Sequence, residues 1–438
     1  MFALQRPDVK GFSGLFIDNC ERKGYIVSCA ATDKIHSAHL VYMKKIILIG
    51  IVLLSLFACA RHAPVTRPED ALERISWWRA AAPNDDREFA DIAAAVRQSL
   101  EYYKKLPPGT LFSLGPDRAS AIDMVVTLQN FLLIIENGSL AYEQKVKQIK
   151  KDFVLYRSVG SNGSGKILFT GYYEPLLSCR TAADDVYKYP LYKRPDDIIE
   201  VDLTQFGNGF PKNRLFGRLD GKKVVPYFSR EEIDQKNVLA GKDLEILWCS
   251  DIVDIFVLQV QGSGKADLGD GNIVSILYDG QNGRPYKSIG KYLLDSGVIP
   301  KDEMSMQLAR QYLRDNPEKL STILDQNPSY VFFRLDTGPS LGNIGVPLTP
   351  GRSIATDSRL FPKGALAVIS ATKPVIENNA IKEWTPFTRF VVNQDTGGAI
   401  RGPGRADLFW GQGPEAELGA GHMQQEGELY FLMRKKLQ

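Results

Sequence analysis

Histidine is scarce in this chain. Four occur in 438 residues, and His36 and His39 sit in the extreme N-terminal stretch, so only His62 and His422 remain downstream. A multi-histidine zinc site or a buried Ser-His-Asp triad would rest on His422 almost alone, and neither is expected; no metal or cofactor is called for. No run of ~18 apolar residues follows the N-terminal region, which excludes a polytopic membrane protein. Surplus charge is also small. A net charge of +3 and a pI near 8.4 fall short of the basic stripe and domain pI above ~9 of a nucleic-acid binder, so nucleic acid is excluded as a partner. With 44% hydrophobic and 24% charged residues the chain lies far from the composition of disorder. At ~150 residues per domain there is apolar material for two or three packed cores. No internal repeat is visible.

Residues Met43 to Cys59 read MKKIILIGIVLLSLFAC. Lys44 and Lys45, the apolar run Ile46 to Phe57 and a small residue before the cysteine match a secretory signal. The ending Leu56-Phe57-Ala58-Cys59 resembles a bacterial lipobox, whose cysteine is diacylated and becomes the new N-terminus. A transmembrane anchor is the competing reading, but spanning needs ~20 residues and polar Arg61 and His62 follow at once. The stretch before Met43 shows no periodicity, so 1–42 reads as an upstream extension, 43–58 as signal peptide and 59–83 as a Pro/Arg/Ala-rich tether. Lipidation at Cys59 places the body of the chain in the periplasm of a Gram-negative bacterium. Ala60, standing where an aspartate would signal inner-membrane retention, favours the outer membrane. That compartment is oxidising. Cys179 and Cys249 are then left, open to pairing or to remaining buried thiols.

Asn84-Asp85-Asp86 precede apolar Phe89, Ile92, Ala93, Val96, Leu100 and Tyr103, a spacing that predicts an amphipathic helix with acidic residues at its start. A second helical pattern runs from Ala119 to Phe153, interrupted at Asn137-Gly138. The signal then switches to short β-branched and aromatic runs: KILFTGYY (166–173), DIFVLQV (254–260), VSILYDG (274–280), YVFFRL (330–335), GALAVIS (364–370) and TRFVVNQ (388–394). One helical island, Lys301 to Leu324, lies among them, and Asp270-Gly271 and Asn282-Gly283 predict hairpins. Helices first and short strands afterwards predict an α+β, mainly β layout with barrel-like parts.

Three motifs are decoys. Gly160 to Lys166 reads GSNGSGK, but Ile167 follows where a phosphate loop needs Ser or Thr, and the segment enters a strand, so it reads as a hairpin loop. The triplets at Asp336-Thr337-Gly338 and Asp395-Thr396-Gly397 are too close for the two lobes of an aspartic protease. Asp267 to Gly271 lacks the alternating oxygens of a calcium loop.

Three other stretches are dense in polar residues within β patterns: Phe169 to Pro175 (FTGYYEP), Gln259 to Lys265 (QVQGSGK), and Asp395 to Gly411 (DTGGAIRGPGRADLFWG). Each mixes glycines that let backbone approach a ligand with amides, hydroxyls and aromatics, the combination that holds sugars. The same stretches carry a resemblance. FTGYYEP, WCSDIVDIFVLQVQGSG, YDGQNGRPYKSIG, NPSYVFFR and PLTPGRSIATD occur in the order found in the membrane-bound lytic murein transglycosylase A family, across about 165 to 430. The sequence departs at Ser178-Cys179, where the family would have a glycine.

The resemblance implies a double-psi β-barrel built from N- and C-terminal segments, with a smaller β-barrel-like domain inserted and the glycan in the groove between. The expected divisions are 84–175 for the N-terminal helices and first barrel part, 176–338 for the insert and 339–438 for the C-terminal "three-aspartate" part. It also implies peptidoglycan as partner and cleavage of the MurNAc-β-1,4-GlcNAc bond without water, the C6 hydroxyl attacking to leave a 1,6-anhydro end. The family's three aspartates map to Asp357, Asp395 and Asp407. Asp407 would be the single acid and then base, shielded by Ala406, Leu408, Phe409 and Trp410. Asp395 would hold its proton by repulsion or position it by hydrogen bonds, and Asp357 would tie a loop. Arg401 and Arg405 are expected to point outward or onto acidic groups of the substrate. Expected glycan contacts are Thr170, Tyr172, Tyr173, Gln261, Ser263 and Lys265. Strand alternation allows only one of Tyr172 and Tyr173 to face the sugar, and sets Gln259 and Gln261 on one face. Glu174 is a conceivable second carboxylate for hydrolysis. A muramidase cutting the same bond, or a non-catalytic wall-binding lipoprotein, are the alternative functions.

Overall fold

The computed structural model describes residues 65–435 apart from 81–83, 207–213, 270, 302 and 340. The lipobox and Cys59 lie outside the described residues.

Six strands close into a barrel, in the order Gln424–Arg434, Leu366–Glu377, Ala380–Asp395, Ser353–Ala355, Arg405–Gln412, Ile167–Glu174 and back to Gln424–Arg434. Two of the neighbours are parallel: Ser353–Ala355 with Ala380–Asp395, and Arg405–Gln412 with Ile167–Glu174. The longest pair turns at Asn378-Asn379, both left-handed (φ 52° and 57°), the geometry a two-residue hairpin demands. Strands Phe153–Ser158 and Leu72–Ile75 extend the sheet beyond Gln424–Arg434. Part of the stretch read as a tether is therefore ordered, with Ala71 and Leu72 buried. Helices Ile92–Lys104 and Ala121–Ile135 share one large core with Phe169, Ile354, Phe390, Ala406, Leu408 and Phe431.

Asp85 and Asp86 do not cap the first helix, which starts at Ile92. Asp86 instead bonds Arg389 and Lys373. Asp85 lies with Arg352 in a fully buried pair, joined by two hydrogen bonds of 2.6 and 2.9 Å. The acidic cluster was thus a long-range partner set rather than a cap.

Between barrel strands the chain leaves at Pro175 and builds a second sheet of six strands, in the order Val331–Asp336, Ile273–Gln281, Ser263–Asp267, Leu176–Arg180, Glu245–Cys249, Tyr189–Tyr192. Its two edge strands come into contact without a ladder between them. Cys179 and Cys249, opposite each other in this sheet, form a disulfide. The run DIFVLQV is a helix, Ile252–Gln261, not a strand. Asp251 caps it by accepting the Val253 N–H at 2.8 Å, and left-handed Gly262 (φ 87°) ends it. Its apolar residues point in three directions, Ile255 and Leu258 into one core, Val253 and Phe256 into a second and Val257 into a third, while Asp254 pairs with Arg310 and Arg314. A helix whose apolar residues enter several cores shows no single apolar stripe, and its β-branched residues imitate a strand. The island Lys301 to Leu324 is two helices, Met306–Asp315 and Pro317–Leu324, broken at Asn316-Pro317. Asn282-Gly283 makes no hairpin: Asn282 is buried, donating to the carbonyls of Phe228 and Pro328. The GSNGSGK loop enters the strand Ile167–Glu174, and no helix follows it. Nor is it a hairpin, since the strands on its two sides both pair with Gln424–Arg434 rather than with each other.

Candidate active site

Three barrel strands bring the acidic residues together. Ala355 pairs with Asp395 on one side and Asp407 on the other, so one short central strand spaces the two carboxyls. On the Arg405–Gln412 strand, Ala406 and Leu408 enter the core, and alternation turns Asp407 and Phe409 to the opposite face. Of the four residues expected to shield Asp407, only Phe409 shares its face, where it packs on Tyr172 with ring centroids 5.2 Å apart. Parallel pairing places Thr170 opposite Asp407 and Tyr172 opposite Phe409.

Asp407 is gripped from two directions. The Thr170 hydroxyl donates to its Oδ1. Arg405 donates from Nε to Oδ1 at 3.0 Å and from Nη2 to Oδ2 at 3.2 Å, and reaches the Thr170 oxygen at 3.1 Å. This corrects the expectation that Arg405 points outward, since residues two apart on a strand share a face. Arg401 does stay on the exposed side, donating to the carbonyls of Gly397 and Ile400. Burial pushes the Asp407 carboxyl above the usual carboxylate range, with the Arg405 charge and the Thr170 hydroxyl pulling the other way.

Asp395 makes no hydrogen bond to Asp407. Its Oδ1 accepts the N–H groups of Thr396 (2.8 Å) and Asn343 (3.0 Å), and its Oδ2 accepts the Tyr172 hydroxyl at 3.0 Å. Burial nonetheless pushes it up to about 6, with the negative charge of Asp407 adding to the rise. Lys363 lies beside it, bonded to Asn343 at 2.6 Å; burial pulls its ammonium down and the Asp395 charge opposes this.

Asp357 is elsewhere in role and place. It accepts the Gly402 N–H at 2.8 Å and the Arg359 side chain at 2.6 and 2.9 Å, tying its own loop to the one that leads into the Asp407 strand. Burial would raise it, but these donors prevail and hold it below the usual range.

The expected glycan contacts separate. Thr170 and Tyr172 join the two carboxyls. Tyr173 does not: it is 3% exposed, packs on Val257, Ala416 and Ala420, and its hydroxyl accepts from Arg310 at 3.2 Å. Alternation sends it to the core. Gln261, at the end of a helix, spends its Oε1 on the Tyr173 N–H at 3.1 Å. Gln259 is buried and bonded to Arg230, so the two amides diverge. Ser263 and Lys265 lie on the strand paired with Leu176–Arg180 just past the crossing, where the Lys265 N–H bonds the Pro175 carbonyl at 2.8 Å. The Lys265 ammonium has no acidic partner among the described residues. Glu174 shares the face of Thr170 and Tyr172, and its Oε1 is buried without a partner. His422 closes the helix Pro414–His422, its ring bonded to the Leu418 carbonyl. Sequence reasoning missed Tyr286, which follows the strand Ile273–Gln281 and sits close enough to Arg405 for that charge to act on its hydroxyl. Among the described residues, no cluster of His, Cys, Asp or Glu could hold a metal ion.

Two carboxyls of raised affinity for protons, on one barrel face beside the crossing to a second sheet, define an acid–base site. The chain belongs to the membrane-bound lytic murein transglycosylase A family. The MltA specific insert domain matches residues 168–334 and the 3D domain residues 352–433. Membrane-bound lytic murein transglycosylase A of Vibrio cholerae is 33% identical over 276 residues, 62% of this chain and 67% of that protein. The Escherichia coli K12 protein of that name is 34% identical over the same length and shares. Among solved structures, a membrane-bound lytic murein transglycosylase from Agrobacterium tumefaciens superposes with a TM-score of 0.68 at 30% identity, covering 83% of this chain and 98% of that one. E. coli MltA with bound chitohexaose gives 0.59 at 26% identity, covering 85% and 96%.

Proposed function

We propose that the protein is a peptidoglycan lytic transglycosylase in which Asp407 is the acid and then the base. The observation that carries this reading is the Asp407 carboxyl, 14% exposed and pushed up by burial, bonded by Thr170 and two strands from a second raised carboxyl, Asp395. Protonated Asp407 gives its proton to the bridging oxygen as the C1–O4 bond breaks. The C6 hydroxyl of the same MurNAc closes onto C1, and its proton passes to the Asp407 carboxylate, so no water is consumed. Asp395 keeps negative charge near the developing oxocarbenium ion and opposes ionisation of Asp407. Thr170 and Tyr172 orient the pair. Ser263 and Lys265 are placed to meet the glycan from the inserted sheet.

Mass spectrometry of digested murein tests this. Glycan ends lighter than reducing ends by one water are expected; reducing ends alone would make the enzyme a muramidase.

The body of the protein is held at the outer membrane, on its periplasmic side, by a lipid on Cys59. Supporting this are the lipobox, relatives named membrane-bound, and a disulfide suited to an oxidising compartment; no helix among the described residues is long and apolar enough to cross a membrane. Labelled palmitate should enter the wild-type protein and not Cys59→Ala; labelling that survives the substitution refutes the anchor.

A further inference from the structure

Asp407 must hold a proton to act, yet the guanidinium laid along it favours the charged form. An acid cannot donate what it has lost.

We propose that Arg405 is the receptor for a carboxylate on the muramoyl side chain of the glycan, and that its transfer from Asp407 to that carboxylate frees Asp407 to keep the proton it donates. The proposal rests on the transglycosylase reading and names a substrate group for the same site. Its geometry is a matter of access. The Arg405 side chain is 32% exposed and that of Asp407 14%, so an arriving anion meets the guanidinium first. The remaining nitrogen of Arg405, Nη1, has only a long contact of 3.4 Å with the Ala399 carbonyl, leaving part of its donor fork free to engage a planar carboxylate. Burial raises the Tyr286 hydroxyl and the Arg405 charge opposes this, so the inserted segment is within electrostatic reach of the guanidinium.

The groups around Asp407 leave Arg405 as the decisive charge. Thr170 on the neighbouring strand bonds it as a neutral hydroxyl. Asp395, two strands away, carries Tyr172 and has Lys363 beside it. Glu174, further along the Thr170 strand, is acidic. Arg405 is the one cation bonded to Asp407 among the described residues. Once it swings to the substrate, burial acts on Asp407 against the Thr170 hydroxyl alone. The proton on Asp407 comes from solvent, passes to the leaving O4, and is replaced by that of the C6 hydroxyl.

Two sources share this chemistry: the lactyl carboxylate of peptide-free glycan, and carboxylates of the stem peptide in native murein. The test compares the pH dependence of kcat on native murein, on peptide-free glycan, and on each with its carboxyls capped as methylamides. In the wild type the alkaline limb is expected to lie at higher pH on an uncapped substrate than on its capped form, by about one pH unit, the lower end of what one nearby cation imposes. Whichever uncapped substrate shows the displacement identifies the source. In Arg405→Gln the two limbs should coincide, and Arg405→Lys should restore part of the difference. Coincident limbs in the wild type on both substrates, or a displacement that survives in Arg405→Gln, overturns the proposal. The wild-type comparison decides even if the variants fold poorly. Anhydro ends produced alongside coincident limbs would sink this proposal and leave the transglycosylase standing; absent anhydro ends would sink the transglycosylase itself.

Discussion

Asp407→Asn is expected to lose turnover of murein by roughly 10²–10⁴-fold while still sedimenting with murein sacculi, the span a positioned general acid contributes. The side chain keeps its shape, and its remaining oxygen can still accept from Thr170 or Arg405. What it loses is a transferable proton. Turnover within tenfold of wild type would remove Asp407 from the chemistry. The substitution also reaches Asp395, whose rise to about 6 is due first to burial and then to the Asp407 charge. In the variant Asp395 should therefore titrate lower. The stability effect has a definite sign. A carboxyl whose folded value exceeds its ordinary 3.8 binds protons more tightly folded than unfolded, so folding weakens as pH rises from about 4 through about 6. Removing Asp407 deletes one such group. Relative to wild type, the variant should gain melting temperature between pH 4 and pH 7.

Arg352→Met is expected to cost about 3–5 kcal/mol of folding stability, because it strands a buried carboxylate. Both side chains of the Arg352–Asp85 pair are fully buried. Arg352 also donates to the carbonyls of Phe390 and Ala90, both at 2.8 Å. Asp85 accepts the Phe390 N–H at 2.9 Å and the Arg87 N–H at 3.0 Å. Every member of the network is satisfied, so losing one orphans several. The double variant Asp85→Leu/Arg352→Met should recover part of the loss, since an apolar pair leaves no buried charge. Urea melts decide it: a cost below about 1 kcal/mol would show that the pair is not held as described. The effect bears on activity because Arg352 immediately precedes Ser353–Ala355, the strand that spaces Asp395 from Asp407.

What could be read from the residues was local. Alternation along FTGYYEP separated Tyr172 from Tyr173, and the strands at 166–173, 330–335 and 388–394 lie where the β-branched runs placed them. The same alternation applied to Arg405-Ala406-Asp407 puts the guanidinium on its carboxylate, against an outward-pointing Arg405. DIFVLQV misleads because the apolar residues of one helix enter three separate cores, so no single apolar stripe shows the 3.6 period. Gln259 and Gln261 were misplaced with it. The Asp85–Arg352 pair had no signal at all, since 267 residues separate its members and nothing in either neighbourhood announces the other.

The strand that carries Thr170 lies between two neighbours made last, Arg405–Gln412 and Gln424–Arg434, and the bond from Thr170 to Asp407 spans 237 positions. A polypeptide threaded outward through a membrane from its N-terminus would have neither neighbour until almost all of it had emerged. A wall-cutting enzyme assembled in this way has no working pocket in a half-exported or truncated copy.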